Sequence, residues 1–533
     1  MGSVARPPAP APSPTAMAAV APASAAVLIL AAALVGCAPD DPPADAAGPG
    51  ARPPAVVAVV PVRGTGDEAV RSLTSGLAAE IGHWLSHASD VAVREGDTGA
   101  DREVRLSLVA AGDGWVARWE VVAPGGSSVL DSTAVTSEQI PRLPRALALQ
   151  VFEAVSSDAK ARGVLEAARD PSPADAYVAF LRLLGAGRGG ASGASAADSP
   201  TPGGAAPTGE EKVQRLVART AALDSVVARL SDAPAAELEL GSEYLELAGL
   251  SPGDAPYYDL AGQHLSRAVE LDPGLPFARE GLALYNTKLG RSEEALALLV
   301  EGIARSPSYA GFHDARGYLL RYAGWARESV ASYRRAQELD PRLASLVSTQ
   351  DQITKSHIYL GEYAEALASH ERVESLLEEL DRPATEKEHF YEGVIHLYAG
   401  HREAAVASFR EGRATDPSTV WSTFGEGYEG IALGDRDRVK DVLARLEALG
   451  VVDGERHYRL VHFAGFLDEP ERALKHLEYS ISAGFFASPY FASDPLTESL
   501  RADPGFPPVL ARAAARHDAF LGNAPPGDHD DGT

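Results

Sequence analysis

Residues 274–307, which read GLPFAREGLALYNTKLGRSEEALALLVEGIARSP, contain the pattern that decides the fold of this 533-residue chain. The stretch ends at Pro307, and two further prolines, Pro273 and Pro341, stand 34 residues before and after it. Small and bulky residues recur at matched positions before each proline, and in the middle copy they are Ala283, Gly290, Ala295, Leu299 and Gly302. Small residues let two antiparallel helices approach closely, and the proline ends the second helix.

A fixed period of 34 residues is the signature of the tetratricopeptide repeat, a helix pair that stacks on its neighbours into a superhelix. The pattern therefore predicts an all-α solenoid over residues 211–480, with the regular repeats beginning near residue 234. We expect Ala295, Ala336 and Ala405 to be buried where helices cross. The period is lengthened near Leu376–Thr385, where we expect a longer helix and loop.

Residues 55–165 have the pattern of a separate α/β domain. The β-branched run Ala55–Val62 predicts a buried strand, and residues 73–85 place their large apolar side chains on one helical face. Alternating apolar residues and turn residues predict four further strands between residues 91 and 135, and Arg142–Ala159 predicts a closing helix. The predicted order is β-α-β-β-β-β-α.

Cys37 is the single cysteine of the chain, and it follows the apolar run Ala25–Gly36. A run of that length is too short to span a bilayer but fits the apolar core of a secretory signal. The tetrapeptide Leu34-Val35-Gly36-Cys37 resembles the bacterial lipoprotein box. The resemblance implies acylation of Cys37 and a lipid anchor in the cell envelope, at the outer membrane in a bacterium with two membranes. The alternative is an uncleaved apolar anchor with an incidental cysteine.

Two stretches of the chain resemble known families. Within residues 55–165, Val57–Val62, Gly76–Leu85 and Val91–Arg94 resemble the TolB-like (FlgO/CsgG-related) domain that precedes tetratricopeptide arrays in many bacterial proteins. That resemblance implies a non-catalytic assembly or recognition module of the cell envelope. Ala483–Leu510 resembles the terminal cap of the repeat tails of bacterial serine/threonine kinases and adenylate cyclases. This second resemblance keeps an alternative function open, a regulatory or signalling protein that lacks the catalytic domain.

The predicted fold class is an α/β N-terminal domain followed by an all-α tetratricopeptide superhelical solenoid. The predicted organisation is a lipoprotein signal at 1–37, a disordered tether at 38–54, the TolB-like α/β domain at 55–165, a linking helix at 166–184, a Gly/Ala/Ser/Pro linker at 185–210, the repeat solenoid at 211–480, a C-terminal cap at 481–520 and a disordered tail at 521–533.

Charge and motifs argue against several classes of function. The formal net charge of -26 disfavours binding to nucleic acid, whose phosphates would be repelled. The sequence has no phosphate-binding loop, no kinase motif set and no H-E-x-x-H or G-x-S-x-G motif, so we expect neither an enzyme nor a cofactor. We expect no metal site either, because the spacings of the repeat histidines do not follow one helical face, and we assign structural or solvated roles to His357, His370, His389, His396, His401, His457 and His462.

The concave face of the solenoid is the candidate binding site. Aromatic and basic residues occupy groove-facing positions of the first helices, namely Lys288, Tyr318, Arg321, Tyr322, Lys355, Tyr359, Phe390 and Tyr398. This composition suits an extended or helical peptide partner, and the local positive charge favours an acidic one. The alternative is ordinary packing of the tyrosines between helices. The carboxylate clamp of chaperone-type repeats is not matched, since its lysine positions hold Glu280, Asp314 and Asp351.

Overall fold

The computed structural model describes twelve segments of the chain, at residues 55–61, 68–88, 91–94, 102–111, 114–122, 128–136, 138–156, 158–187, 209–250, 255–340, 347–380 and 382–522. Cys37, the predicted signal, the predicted tether and the tail after residue 522 lie outside these segments, as does the middle of the predicted linker.

The N-terminal part contains a five-stranded sheet with the strand order β2-β1-β3-β4-β5. The strands are β1 Ala55–Pro61, β2 Val91–Arg94, β3 Arg102–Ala111, β4 Gly114–Val122 and β5 Ser128–Val135. Strand β1 lies between β2 and β3 and runs parallel to both, while β3, β4 and β5 form an antiparallel meander. Alternate side chains of β3 point to opposite faces of the sheet, so Val104, Leu106 and Leu108 are fully buried whereas Arg105 is exposed.

One layer of helices covers the buried face of the sheet. Helix α1, Glu68–Leu85, packs Leu73, Leu77 and Ile81 into the core. Helix α4, Ala174–Gly187, crosses α1 at Gly76, where a Cβ atom would lie 2.0 Å from the Leu181 carbonyl oxygen. Only glycine permits this approach, so the helix predicted as a linker is held tightly against the α/β domain.

The predicted closing helix is present but ends earlier than expected, and a second helix follows it. Helix α2 spans Leu143–Val155, and helix α3 spans Ala159–Ala167. The carboxylate of Asp158 accepts hydrogen bonds from the backbone N–H groups of Lys160 and Ala161, which caps the start of α3. The helix predicted over Arg142–Ala159 is thus α2, which ends at Val155, and Asp158 begins a separate helix that apolar periodicity does not reveal. The order of strands and helices is otherwise the predicted one.

The rest of the chain is a superhelix of helix pairs. After α5, Gly209–Val227, seven pairs follow within the described residues. They are α6 Pro234–Leu250 with α7 Ala255–Leu271, α8 Pro276–Lys288 with α9 Ser292–Arg305, α10 Ala310–Ala323 with α11 Ala326–Leu339, α12 Val347–Leu360 with α13 Tyr363–Glu379, α14 Glu386–Tyr398 with α15 Arg402–Thr415, α16 Val420–Leu433 with α17 Arg436–Leu449, and α18 Gly454–Phe466 with α19 Pro470–Ser482. The fold is thus an α/β domain followed by a tetratricopeptide solenoid, as the sequence predicts.

The small residues of the repeat act where the prediction places them. Ala295, Ala336 and Ala405 are fully buried at helix crossings. In the third pair, the turn from α10 to α11 passes through Gly324, whose φ of 89° is in the left-handed region that favours glycine. The predicted lengthening near residues 376–385 is also seen, because α13 has 17 residues where α9, α11 and α15 have 14.

Two short helices and one helix of 17 residues follow the last pair. They are α20 Ser488–Ser493, α21 Glu498–Arg501 and α22 Phe506–Gly522. The turn after α1 contacts the solenoid directly, because the His87 imidazole lies 2.7 Å from Asp272, just after α7. None of the described helices is long and apolar enough to cross a bilayer.

Candidate functional site

Four of the predicted groove residues meet at one place. Tyr318, Arg321 and Tyr322 from α10 and Lys355 from α12 line a single small cavity. The other lining residues are Lys387, Tyr391, Trp421, Asp453, Glu455 and Arg456. The first helices of successive repeats therefore bring these side chains together, as expected for neighbours in a solenoid. The open space is about 10 Å³, which is room for roughly one water molecule.

Arg321 is at the centre of this cluster and is fully buried. Its guanidinium group forms an ion pair with Glu455 of α18, the first helix of the last repeat. It also donates a hydrogen bond of 2.9 Å to the side-chain oxygen of Gln352. The rings of Tyr318 and Tyr322 lie 5.2 and 5.1 Å from the guanidinium carbon. The groove therefore closes on itself, because a residue of the third repeat is neutralised by one of the seventh.

Glu455 is the acidic centre of the cluster. Burial opposes its charge, yet the cations Arg321, Lys355 and Arg459 outweigh burial and hold the pKa of Glu455 at about 2. Its carboxylate also accepts a hydrogen bond from the Tyr359 hydroxyl. The groove thus stabilises a buried carboxylate that the chain itself supplies.

A second ion-pair group lies beside the first. The ammonium groups of Lys355 and Lys387 lie 3.0 and 2.8 Å from Asp351. Burial opposes the charge of Asp351, but the two lysines hold its pKa well below the ordinary value. Burial also lowers the pKa of Lys288 to about 8, and the Lys288 ammonium group lies 5.5 Å from the Tyr318 ring centre.

Two of the predicted residues, Tyr359 and Tyr398, contact Tyr490 of α20 rather than open solvent. The Tyr359 ring lies 4.4 Å from the ring of Tyr490, and the Tyr398 hydroxyl lies 2.8 Å from the Tyr490 hydroxyl. Phe390, by contrast, is enclosed in an aromatic core, 5.3 Å from the Trp421 ring. Phe390 therefore packs between helices and does not face an open groove.

The segment between α19 and α21 fills the concave face. We call residues 483–497 the groove segment. The backbone N–H of Phe486 donates a hydrogen bond of 3.0 Å to the Tyr322 carbonyl oxygen, and the Phe485 ring packs at 5.7 Å on the Tyr322 ring. Asp494 is fully buried and accepts hydrogen bonds from Tyr458 at 3.1 Å and Tyr398 at 3.2 Å, while the His462 imidazole lies 2.7 Å away. Aromatic rings and one carboxylate are thus the groups that this face binds.

Sequence reasoning identifies the groove wall but not its occupant. From its sequence, the run Ala483–Leu510 is expected to cover only the last repeat. In the structure it also contacts Tyr322 of the third repeat and Tyr359 of the fourth, which that expectation does not include. The available signal is composition, because Gly484–Asp494 reads GFFASPYFASD, which is aromatic and acidic like a ligand for a basic, aromatic wall. The structure also shows what surrounds the three acids, Glu280, Asp314 and Asp351, that stand at the lysine positions of the carboxylate clamp. Asp351 is neutralised by lysines, whereas burial raises the pKa of Glu280 to about 8 and that of Asp314 to about 7.

Comparison with solved structures finds tetratricopeptide repeat proteins. No protein-family model matches the chain. No curated protein matches it either. A tetratricopeptide repeat protein of Thermus thermophilus is 21% identical, with 40% of this chain and 99% of that chain covered and a TM-score of 0.30. PilF of Pseudomonas aeruginosa is 16% identical over 41% of this chain and 91% of its own, with a TM-score of 0.31. The Cut9–Hcn1 hetero-tetramer of the APC/C is 12% identical over 73% of this chain and 83% of its own, with a TM-score of 0.34. At such identities the likeness concerns the fold, and the assignment of the repeats rests on the helix pairs described above.

Proposed function

We propose that this protein is a non-catalytic scaffold of the bacterial cell envelope, anchored by lipid at Cys37, that binds protein partners through its tetratricopeptide groove. The lipoprotein-box resemblance of Leu34–Cys37 supports the anchor, and the TolB-like resemblance of residues 55–165 supports the envelope setting. Stacked helix pairs with a concave face support protein binding as the general role.

The observation that carries the proposal is the contact between the groove wall and the groove segment. Tyr322, Tyr359 and Tyr398 come from three successive repeats, and all three contact residues 483–497 of the same chain. A surface that holds an aromatic, acidic segment in cis has the chemistry to hold a similar segment of another protein. We infer that the partner carries aromatic residues and a carboxylate, and that it binds in competition with the groove segment.

The test uses the groove segment itself as the probe. A labelled peptide with the sequence AGFFASPYFASDPLT, residues 483–497, is titrated into full-length protein, and binding is followed by fluorescence anisotropy. The wild type should bind it poorly because its own segment occupies the groove. A Phe485→Ala, Tyr490→Ala double variant should bind it measurably better, since two of the aromatic anchors are then lost in cis. An equally weak response of both proteins, in samples shown to be folded by circular dichroism, would mean that the contact is only internal packing.

Matched substitutions locate the binding surface. In the double-variant background, Tyr359→Leu should weaken peptide binding at least about tenfold, the loss typical of an anchoring aromatic residue. Tyr479→Ala removes an exposed tyrosine of α19 that does not line the cavity, and it should leave binding unchanged. If both substitutions weaken binding equally, the peptide does not bind in this groove.

The anchor is tested separately. Cys37→Ser should move the protein from the membrane fraction to the soluble fraction and abolish incorporation of radiolabelled fatty acid. A variant that still sediments with membranes would show that Cys37 is not the anchor, whatever the outcome of the peptide experiment.

A further inference from the structure

The junction between the fourth and fifth repeats holds a cluster of histidines and glutamates away from the groove cavity. His370 and Glu374 lie one helical turn apart on α13, and Glu392 lies on α14. One candidate ligand atom from each of these three residues lies within 4.8 Å of the ligand atoms of the other two. The three residues are within reach of one common metal ion.

His370 is the least explained member of this cluster. The residue is 4% exposed, and its Nδ1 atom is buried without a hydrogen-bond partner. Buried polar atoms nearly always have a partner, so a buried imidazole that has an unpaired nitrogen and reaches two carboxylates indicates a missing interaction. A bound cation between the imidazole and the carboxylates would supply it.

Two more histidines flank Glu392. The Nδ1 atom of His389 lies 3.7 Å from one carboxylate oxygen of Glu392, and the Nε2 atom of His396 lies 4.0 Å from the other. Both distances exceed those of ordinary hydrogen bonds. Neither histidine therefore makes a short contact with Glu392, and both are candidates for a fourth ligand.

Another histidine cluster in the same solenoid shows the contrast. His457 and His476 lie 3.0 Å apart, and their remaining ring nitrogens contact the Val451 carbonyl oxygen at 2.9 Å and Glu447 at 2.9 Å. All four ring nitrogens there have protein partners, so no interaction is missing. The His370 cluster differs from it in leaving one nitrogen unpaired.

We propose that His370, Glu374 and Glu392, completed by His389 or His396, bind one Zn²⁺ ion. Imidazole nitrogen and carboxylate oxygen are ligands that suit Zn²⁺, which prefers four of them in a tetrahedron. The ion would join α13 of one repeat to α14 of the next, across the lengthened connection of the solenoid. The sequence expectation of no metal site considered one helical face at a time, whereas this site takes ligands from two helices.

The side chains need only a modest adjustment to bind the ion. Ligand atoms about 2.1 Å from a tetrahedral ion are roughly 3.4 Å apart. The present separations of up to 4.8 Å must therefore shorten. Glu374 is exposed and its side chain is long, so rotation of this residue can bring its carboxylate closer to the other two ligand atoms.

The test measures metal binding by full-length protein that carries no histidine tag and has been treated with a chelator. Titration with Co²⁺, a spectroscopic substitute for Zn²⁺, should give visible absorption bands of a tetrahedral complex that saturate at one equivalent. Added Zn²⁺ should abolish the bands and raise the melting temperature of the protein.

Variants decide whether the ion binds at this cluster. His370→Ala and Glu374→Gln should each weaken Co²⁺ binding by at least about tenfold. Loss of a residue that only hydrogen-bonds to a metal ligand already has an effect of that size, so loss of a ligand itself should have no smaller one. Glu374 is on the surface, so that variant folds even if His370→Ala does not. The matched control is His264→Ala, because the pair His264–Glu237 belongs to no three-residue cluster among the described residues. The proposal is overturned if saturable binding is absent, or if Glu374→Gln binds as tightly as the control.

Discussion

Replacing Arg321 by methionine should destabilise the solenoid more than most single substitutions. The Arg321 side chain is fully buried, and its ion pair joins α10 to Glu455 on α18. Methionine fills similar space but leaves the Glu455 carboxylate buried without its closest cation. Loss of one member of a buried ion pair costs about 3–5 kcal/mol, so we expect Arg321→Met to lower the free energy of unfolding by that amount at pH 7.

The pKa of Glu455 gives an independent magnitude. Although burial opposes ionisation, neighbouring cations, Arg321 foremost, lower the pKa from 4.5 to about 2. At 1.36 kcal/mol per pKa unit, this difference corresponds to about 3 kcal/mol of stability. Because the folded-state pKa is the lower one, the contribution is complete above about pH 4.5 and is lost as the pH falls towards 2.

A double-mutant cycle with chemical denaturation is the appropriate assay. Arg321→Met and Glu455→Leu should each be costly, while the double variant should cost much less than the sum, because no charge is then left unpaired. The difference between wild type and Arg321→Met should also shrink from pH 5 to pH 2. The reasoning is refuted if both single variants lose less than about 1 kcal/mol and their effects add.

Three further predictions concern the packing of the repeats and one buried acid. Ala336→Phe should lower stability by about 1–3 kcal/mol, because Ala336 is fully buried, and a melting temperature equal to that of wild type would contradict this helix register. Gly400→Ala should lower the free energy of unfolding by about 1 kcal/mol, because φ is 81° at this position and alanine is strained there. Gly400→Asn should lower it less, because asparagine tolerates the left-handed region better, and equal losses in chemical denaturation would contradict this explanation. Burial raises the pKa of Glu280 to about 8, so the folded state retains its proton and wild type loses stability as the pH rises from about 4.5 to 8. The free energy of unfolding of Glu280→Gln should therefore rise relative to that of wild type over that range. A difference that stays constant with pH would show that the acid does not titrate in this way.

The repeat architecture is readable from sequence because its determinants are local. The prolines after α9 and α11, the small residues at the crossings and the turn glycines act within one helix pair, so a 34-residue period reports them directly. The break before Ala159 escapes this reasoning, since it depends on the side chain of Asp158 capping two backbone N–H groups. Capping of this kind changes where a helix begins without changing its apolar pattern.

The details of the site depend on contacts that no local pattern contains. Arg321 and Glu455 are 134 residues apart, and they meet only because the superhelix curves enough to bring the third and seventh repeats together. The convergence of Tyr318, Arg321, Tyr322 and Lys355 follows from adjacent repeats, so it could be predicted. Their burial could not, because it depends on the curvature of the solenoid, which results from packing along the whole array.

The closure of the groove also has a consequence for how the chain folds. Open solenoids are stabilised by nearest neighbours, so they can nucleate anywhere and fray from their ends. Here Phe486 bonds to Tyr322, and Arg516 of α22 donates a hydrogen bond of 2.8 Å to the Gly290 carbonyl oxygen in the second repeat. Contacts between residues so distant in sequence slow folding and couple remote repeats into one cooperative unit. During synthesis, the second and third repeats cannot make these contacts until residues 486–516 have left the ribosome.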